Sequence, residues 1–383
     1  MKLYPASTFS VTLAFSLASS LATANTFNGK ATGMSDAGIA TTDYLQGLIL
    51  NPAAPANLDD SQDFSLHLTL GAIGSDEDDL IDGAETLSQR LEQFDGQVPD
   101  MQRVAELAER FRAISGSHAT VEAGGGLYMS VPTRMATISA FVRTDLAIDV
   151  VANTNENDLG RIAQVLATSI PLDTRDLESS VFATGTSLTE GGLSFARSNG
   201  DFSYGATVKY QRVDLIEYQA RIDNFDDNNF DADEFRTDDN GFNLDLGVQQ
   251  AFGNWRVGAT VTNAIKADYA TISGRQVSIE PRVALGGGYR NGWLTAALDL
   301  DANAAANRIT GEDSQFGRIG IEFDMWDWAQ LRLGYKTDMK SAIHDTASVG
   351  LGFSPFGVIN VDIAAVAGDK DTVGAVLQLG LSF

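Results

Sequence analysis

The chain lacks cysteine and has only three histidines, and these shortages weigh against several classes of function. Without thiols there is no disulfide framework, no thiol redox chemistry and no cysteine-ligated metal site. His67, His118 and His344 are far apart, and the chain has neither an H-E-x-x-H pair nor a G-x-S-x-G turn. We therefore predict no catalytic residues, no cofactor and no metal, and a membrane-embedded enzyme is the least favoured function.

Positive charge is also scarce, with 26 Lys and Arg against 51 Asp and Glu and a net charge of −25. A chain this acidic is not expected to hold nucleic acid or anionic lipid by charge. The stretch DNFDDNNFDADEFRTDD, residues 223–239, offers oxygens that suit calcium, but it lacks the order of an EF-hand loop. We interpret it as a solvated surface loop, with bridging of divalent ions as the alternative.

Long apolar runs are missing after the first residues. The run from Phe9 to Leu21 follows Lys2 and precedes Ala22-Thr23-Ala24, a pattern that predicts a signal peptide over 1–24 and cleavage before Asn25. A spanning helix needs about 20 apolar residues, and no later segment approaches this length. If the mature chain spans a membrane, it must do so as a closed β-barrel, which satisfies every backbone group in lipid.

What the chain does have is alternation of apolar and polar residues. In the terminal LQLGLSF, apolar residues occupy every second position and the intervening positions hold Gln378, Gly380 and Ser382. Such segments are typical of strands that face lipid on one side and a polar lumen on the other. They recur near 63–73, 119–130, 133–150, 179–197, 201–222, 235–252, 254–271, 277–290, 293–306, 312–324, 328–337, 345–354, 357–367 and 372–383.

The links between these segments are short and long in turn. Short links include VP at 131–132, NG at 291–292 and PF at 355–356, whereas the long ones include 74–118 and 151–178. This segregation is typical of an outer-membrane barrel, with turns on the periplasmic side and loops outside. The sequence thus predicts an all-β, transmembrane antiparallel β-barrel of about 14 strands over 61–383.

Two long links carry helical periodicity. Apolar residues recur every three or four positions over about 79–114, in two sets separated by Pro99, and again over 158–169. We predict helical loop insertions in both places. They either cap the mouth of the barrel or gate a ligand, and capping is the plainer interpretation.

Three further features suit a barrel in the outer membrane. The tryptophans lie beside short links and predict an interfacial aromatic girdle: Trp255, Trp293, Trp326 and Trp328. The last strand, with Leu379, Leu381 and Phe383, predicts a signal for the barrel assembly machinery. The glycine triplets Gly124–Gly126 and Gly286–Gly288 lie inside strands and predict kinks or bulges, with a weakened wall that releases a ligand sideways as the alternative.

The first part of the mature chain points to a family. The stretch GKATGMSDAGIATTDYLQGLILNPAAPANLDD resembles the amino-terminal region of FadL-type outer-membrane proteins and, more closely, the related barrels called conjugal transfer protein TraF. The resemblance implies a fourteen-stranded barrel whose amino-terminal segment, residues 25–60, folds into the lumen as a plug. Asn51, Pro52 and Ala53 would belong to this plug. One departure is Gln378, where the terminal signal of many barrels has glycine.

These features predict an integral protein of the cell outer membrane with lipid as its surroundings. The function expected from the resemblance is either a passive channel for small hydrophobic molecules or a part in conjugation-related envelope assembly. A channel for a small hydrophobic ligand would have an apolar lumen. The alternative is a structural or adhesive protein that acts through its extracellular loops.

Overall fold

The computed structural model describes most of the chain, namely residues 27–42, 44, 47–58, 63–76, 79–94, 100–168, 171, 173–221, 235–306, 313–326, 328–369 and 371–383. The predicted signal peptide over 1–24 and residues 223–234 of the acidic stretch lie outside these ranges. Both therefore remain predictions from the sequence.

The described residues form eighteen strands, of which fourteen close into one antiparallel barrel. Around the barrel the order is β1-β18-β17-β16-β15-β14-β11-β10-β7-β6-β5-β4-β3-β2. The strands are β1 Ser65–Asp76, β2 His118–Pro132, β3 Thr137–Asn153, β4 Ser180–Asn199, β5 Phe202–Arg221, β6 Arg236–Phe252, β7 Trp255–Thr262, β8 Ala267–Ala270, β9 Gln276–Ile279, β10 Arg282–Arg290, β11 Leu294–Asp301, β12 Ala305–Ala306, β13 Asp313–Ser314, β14 Phe316–Asp324, β15 Ala329–Asp338, β16 Thr346–Phe353, β17 Ile359–Gly368 and β18 Val373–Ser382. The predicted fold class and strand number are confirmed.

The barrel is closed by the pairing of its first strand with its last. Ser65 lies opposite Ser382, and the register continues to Gly74 opposite Val373. Below this ladder, Phe383 N–H donates to the Phe64 carbonyl, and the two rings lie 5.3 Å apart. We call the β1–β18 junction the seam.

Alternation along the wall separates two faces. In β18, Leu377, Leu379 and Leu381 are 41–46% exposed, whereas Gln378 between them is fully buried. Large apolar side chains point outward in the same way on the other barrel strands. A soluble protein does not leave so many apolar residues exposed, and the outward face therefore has the character of a lipid-facing band.

In the described ranges, five α-helices accompany the barrel: α1 Gly29–Gly33, α2 Gly47–Leu50, α3 Leu80–Phe94, α4 Met101–Ala113 and α5 Glu156–Thr168. Short 3₁₀ helices lie at Ala54–Ala56, Thr174–Asp176 and Pro355–Gly357. Among the described residues, no helix combines the length and apolar character that a membrane-spanning helix requires. Helices α3, α4 and α5 occupy the predicted long links and bury Leu87, Leu107, Phe111 and Ile162 in one apolar cluster.

Four predicted strands are shorter in the wall than the alternation suggests. One end of each of the segments 293–306 and 312–324 forms the separate pair β12–β13. The segments 254–271 and 277–290 each split, because β8 and β9 leave the wall and pair with each other as a separate hairpin. This hairpin packs its Tyr269, Val277 and Ile279 on inward-facing Leu188 and Leu215 of β4 and β5. Part of the mouth of the barrel is thereby filled from within.

Candidate functional site

The lumen holds a cavity of about 190 Å³ between the wall and residues 27–58, which we call the N-terminal segment. Ile39 and Leu48–Leu50 of this segment line one side, and Ser278–Glu280 of the β8–β9 hairpin line another. Lys266 pairs with Glu280 at the base of the hairpin, and the hydrogen bond from Lys266 lowers the pKa of the Glu280 carboxyl. The cavity therefore lies between the segment and the hairpin.

One wall of the cavity, built by β3 to β6, carries a buried network of charges. Glu190 accepts from Arg143 and, at 3.0 Å, from Lys209, which also lies 2.9 Å from Asp245. Gln211 adds a hydrogen bond of 2.6 Å to Glu190. The strands place these groups together because each is an inward position of a neighbouring strand.

Another side of the cavity carries a second charged cluster. Asp301 on β11 pairs with Arg282 and with Arg318, the latter at 2.9 Å. Both guanidinium groups and the Lys336 ammonium lie 4.9–5.7 Å from the centre of the Phe316 ring. The cavity wall is thus charged, and the apolar lumen expected of a carrier for hydrophobic molecules is not what the structure shows at this place.

The structure places the predicted plug residues against β5 and β6. Asn51 is fully buried, and its side-chain amide donates to the carbonyls of Ile39 and Val248 at 2.8 and 3.2 Å. The Asn51 Oδ1 accepts from Ala53 N–H at 2.9 Å. Pro52 rests on Gly205, where an added Cβ would come 2.0 Å from the Pro52 carbonyl oxygen. The role of Asn51, Pro52 and Ala53 as a hatch stays a prediction.

The glycine triplets mark contacts with the N-terminal segment. Pairing runs without interruption through Gly124–Gly126 and Gly286–Gly288, so the bulges predicted there are absent from these described stretches. Instead, Phe27 lies against Gly124 and Ile39 against Gly286, each within 3 Å of an added Cβ. Glycine is present at these inward positions because the segment approaches the backbone of the wall too closely for a side chain.

Polar wall residues bind the backbone of the segment. Asp299 accepts from the N–H groups of Gly38 and Ile39 at 2.6 and 2.9 Å, and Gln249 donates to the Ile39 carbonyl at 2.8 Å. Gln378 accepts from Gly29 N–H at 3.1 Å. Sequence reasoning missed Asp299 and Gln249 as site residues, although their inward parity was readable. Gln378 stands where the terminal signal of many barrels has glycine, and its contact with Gly29 gives this departure a local reason.

The remaining predicted residues lie on the outer surface. The four tryptophans are at the short-turn end of the barrel and 51–66% exposed: Trp255, Trp293, Trp326 and Trp328. Trp326 and Trp328 stack at 6.0 Å. Leu379, Leu381 and Phe383 point outward on the last strand and its end. Their roles in an aromatic girdle and in assembly stay predictions.

No group of three or more histidine and acidic side chains within the described residues is arranged to hold a metal ion. His67 is buried in the lumen beside Gln378, whereas His118 pairs with Asp149 at the start of β2. The contacts that the structure shows at this site are packing contacts, hydrogen bonds and ion pairs.

Solved structures with a similar fold are known. The Ralstonia pickettii toluene transporter TbuX aligns with a TM-score of 0.59 at 12% identity, covering 93% of this chain and 98% of that one. The Pseudomonas putida toluene transporter TodX gives 0.56 at 13% identity, covering 92% and 98%. A FadL homologue of Pseudomonas aeruginosa gives 0.52 at 13% identity, covering 96% and 99%. These likenesses establish a FadL-like barrel fold.

A search of curated proteins gave no match. A family model described as "F plasmid transfer operon, TraF, protein" matches residues 48–301. This match spans more than half of the chain, and it includes the end of the N-terminal segment and the wall from β1 to β11. The chain therefore belongs to this TraF family, as the resemblance in its amino-terminal region predicted.

Proposed function

We propose that this protein is an outer-membrane channel through which small hydrophobic molecules pass without an energy source, past the N-terminal segment that occupies its lumen. The observation that carries the proposal is a closed barrel with an apolar outer band and a segment seated inside it. The fold is shared with proteins described as toluene transporters.

The side chains of the charged cavity determine what such a molecule would contact as it passes. Arg143, Lys209, Arg282 and Arg318 each pair with a carboxylate, so the cavity wall presents paired charges. Phe141, Phe316 and Ile39 supply apolar surface between these pairs. A compact apolar molecule would contact these three side chains, while a polar solute would contact the ion pairs.

The test compares uptake of labelled toluene by cells that lack the gene, by complemented cells and by cells carrying Asn51→Ala. Complementation should raise the initial rate, an uncoupler should leave it unchanged, and Asn51→Ala should alter it because the segment loses its hydrogen bonds to the wall. The matched control is Gln250→Ala on β6, since the Gln250 side chain donates to the carbonyl of the adjacent Ala251 and, among the described residues, makes no hydrogen bond to the segment. A small polar solute is measured in parallel. If its uptake rises and that of toluene does not, the hydrophobic cargo is refuted.

A part in conjugation-related envelope assembly is the second candidate, and the family description is the observation that favours it. It predicts that deletion of the gene lowers mating frequency and that the wild-type chain restores it. An unchanged frequency in the deletion strain would refute this role without touching the channel proposal.

A further inference from the structure

The seam is contacted by the first residues of the N-terminal segment and by the residues that lead into β1. Phe27 and Gly29 lie beside β1 and β18, and the chain returns to the same junction at Asp63 and Phe64, whose N–H groups donate to the Phe383 carbonyl at 2.7 Å. Between these points, the described residues of the segment lie against the inside of the wall.

Along this path the segment lies against every strand of the barrel. Helix α1 packs on β15 to β18, Met34 lies against Gly320 of β14, and Asp299 of β11 binds Gly38 and Ile39. Ala40 and Thr41 meet β7 and β10, and the turn of Asn51 and Pro52 meets β5 and β6. The 3₁₀ helix Ala54–Ala56 lies beside β3 and β4, and the Tyr44 hydroxyl donates to the Ser130 carbonyl of β2 at 2.8 Å.

The contact at the seam itself is apolar and close. Phe27 is 4% exposed and packs in the lumen with Ile73 of β1, Val376 of β18 and Ala364 and Val366 of β17. Gly71 of β1 leaves the space for its ring, since an added Cβ would come 2.4 Å from Phe27. Beside it, Gln378 of β18 binds Gly29 N–H. Residues of both closing strands thus share one partner inside the barrel.

We infer that the N-terminal segment acts in assembly as an internal template, and that Phe27 and Gln378 position the first and last strands so that the seam closes around it. The physical basis is that the two strands are far apart in sequence, and closing a long loop carries an entropic cost. A segment that binds both strands offsets part of this cost at the junction where pairing is completed. This role is separate from any channel activity.

The experiment uses two wall glutamines as a matched pair. Gln378→Ala removes the hydrogen bond to Gly29 of the segment and also the 3.3 Å contact with His67 of β1. On β6, away from the seam, Gln249→Ala removes contacts with Ile39, Thr42 and Asn57 of the segment. Phe27 variants remove a contact of the segment alone. The mature full-length variants are refolded from urea into lipid vesicles, and folding is followed by the heat-dependent change in gel mobility. Hydrogen exchange is then measured separately for β1 with β18 and for β10 with β11.

Gln378→Ala and Phe27→Ala should slow folding and raise exchange in β1 and β18 by about tenfold relative to wild type, because local opening there becomes easier. Exchange in β10 and β11 should not change, and Gln249→Ala should leave the seam at wild-type protection.

If Phe27→Ala does not fold, the same measurements are made on Phe27→Leu and Gln378→Ala. Equal effects of the two glutamine variants on the seam, or wild-type folding and seam protection in the Phe27 variant, would overturn the inference. Toluene uptake enters none of these measurements, so the outcome is independent of the channel proposal.

Discussion

At the scale of single residues, adjacent positions of one strand have opposite surroundings. Gly286 faces inward, where an added Cβ would meet Asp299 and Ile39 at 2.6 and 2.8 Å, whereas Gly287 has nothing within 4 Å of an added Cβ. The two glycines stand in the same triplet and look alike in the sequence. Their functions differ because only one of them touches the N-terminal segment.

This difference gives a direct prediction. Gly286→Val should lower the free energy of unfolding by about 1–3 kcal/mol, because the added carbons overlap a packed contact. Gly287→Val is the control, and it should change stability by less than about 0.5 kcal/mol because surface substitutions of this kind have small effects. Urea unfolding in vesicles, followed by tryptophan fluorescence, measures both. Similar losses for the two variants would contradict the packing explanation.

Arg332 is a second residue whose surroundings determine how much its substitution destabilises the protein. It is buried on β15, with its guanidinium 2.6 Å from both Glu322 and Asp362. Removing one partner of a buried ion pair costs about 3–5 kcal/mol, since the remaining charge stays desolvated. Arg332→Ala should therefore destabilise the barrel by that amount in urea titrations.

The comparison variant for Arg332 is Arg212→Ala on β5. The Arg212 side chain is 51% exposed, and its partner Asp214 also binds Arg236. Its loss should cost less than about 1 kcal/mol. A loss for Arg332→Ala as small as that for Arg212→Ala would show that the luminal pair is not desolvated.

At the scale of elements, the sequence could predict the strands of the barrel wall but not the β8–β9 hairpin that separates from it. Each barrel strand was readable because lipid outside and polar groups inside force side chains to alternate. The same alternation continues through Gln276–Ile279, yet these residues form a hairpin with β8 instead of extending β10. Alternation indicates that a strand has one apolar and one polar face, but it does not indicate which neighbouring strand it pairs with.

The same limit applies to the site. The Asn-Pro-Ala turn and the inward glycines were visible as motifs, but Asp299 and Gln249 become site residues only when β11 and β6 are brought beside Ile39. Such contacts depend on strand register and on the path of a segment with little regular structure. A local sequence pattern specifies neither the strand register nor the path of the segment, so the partners could not be assigned from the sequence.

The β8–β9 hairpin gives a prediction at this scale. Tyr269 and Ile279 are 7% and 2% exposed and hold the hairpin on β4 and β5. Tyr269→Ser together with Ile279→Ser should free the hairpin from the wall and raise hydrogen exchange over 267–279, because its apolar contacts are lost. Exchange in β16 to β18 serves as the internal control. Unchanged protection of the hairpin would mean that its strand pairing alone holds it in place.

At the scale of the whole molecule, the outer and luminal faces of the barrel wall have different surroundings. Across β15, Leu333 is 46% exposed on the outer face, and Arg332 next to it is buried among carboxylates in the lumen. A soluble barrel would have no reason to expose its leucines and bury its charges in this order. The arrangement is the one expected when lipid lies outside.

Leu333→Arg tests this arrangement directly. A charge on the lipid face near the middle of the bilayer costs about 2–4 kcal/mol, and the cost falls to about 0–1 kcal/mol near the interface. Leu333 lies at the centre of its strand, whereas Val373 begins β18 at the long-loop end. Leu333→Arg should therefore lower the urea midpoint in vesicles far more than Val373→Arg does. Equal midpoints for the two variants would mean that the outer face does not meet hydrocarbon at Leu333, and the assignment of lipid to this face would then fail.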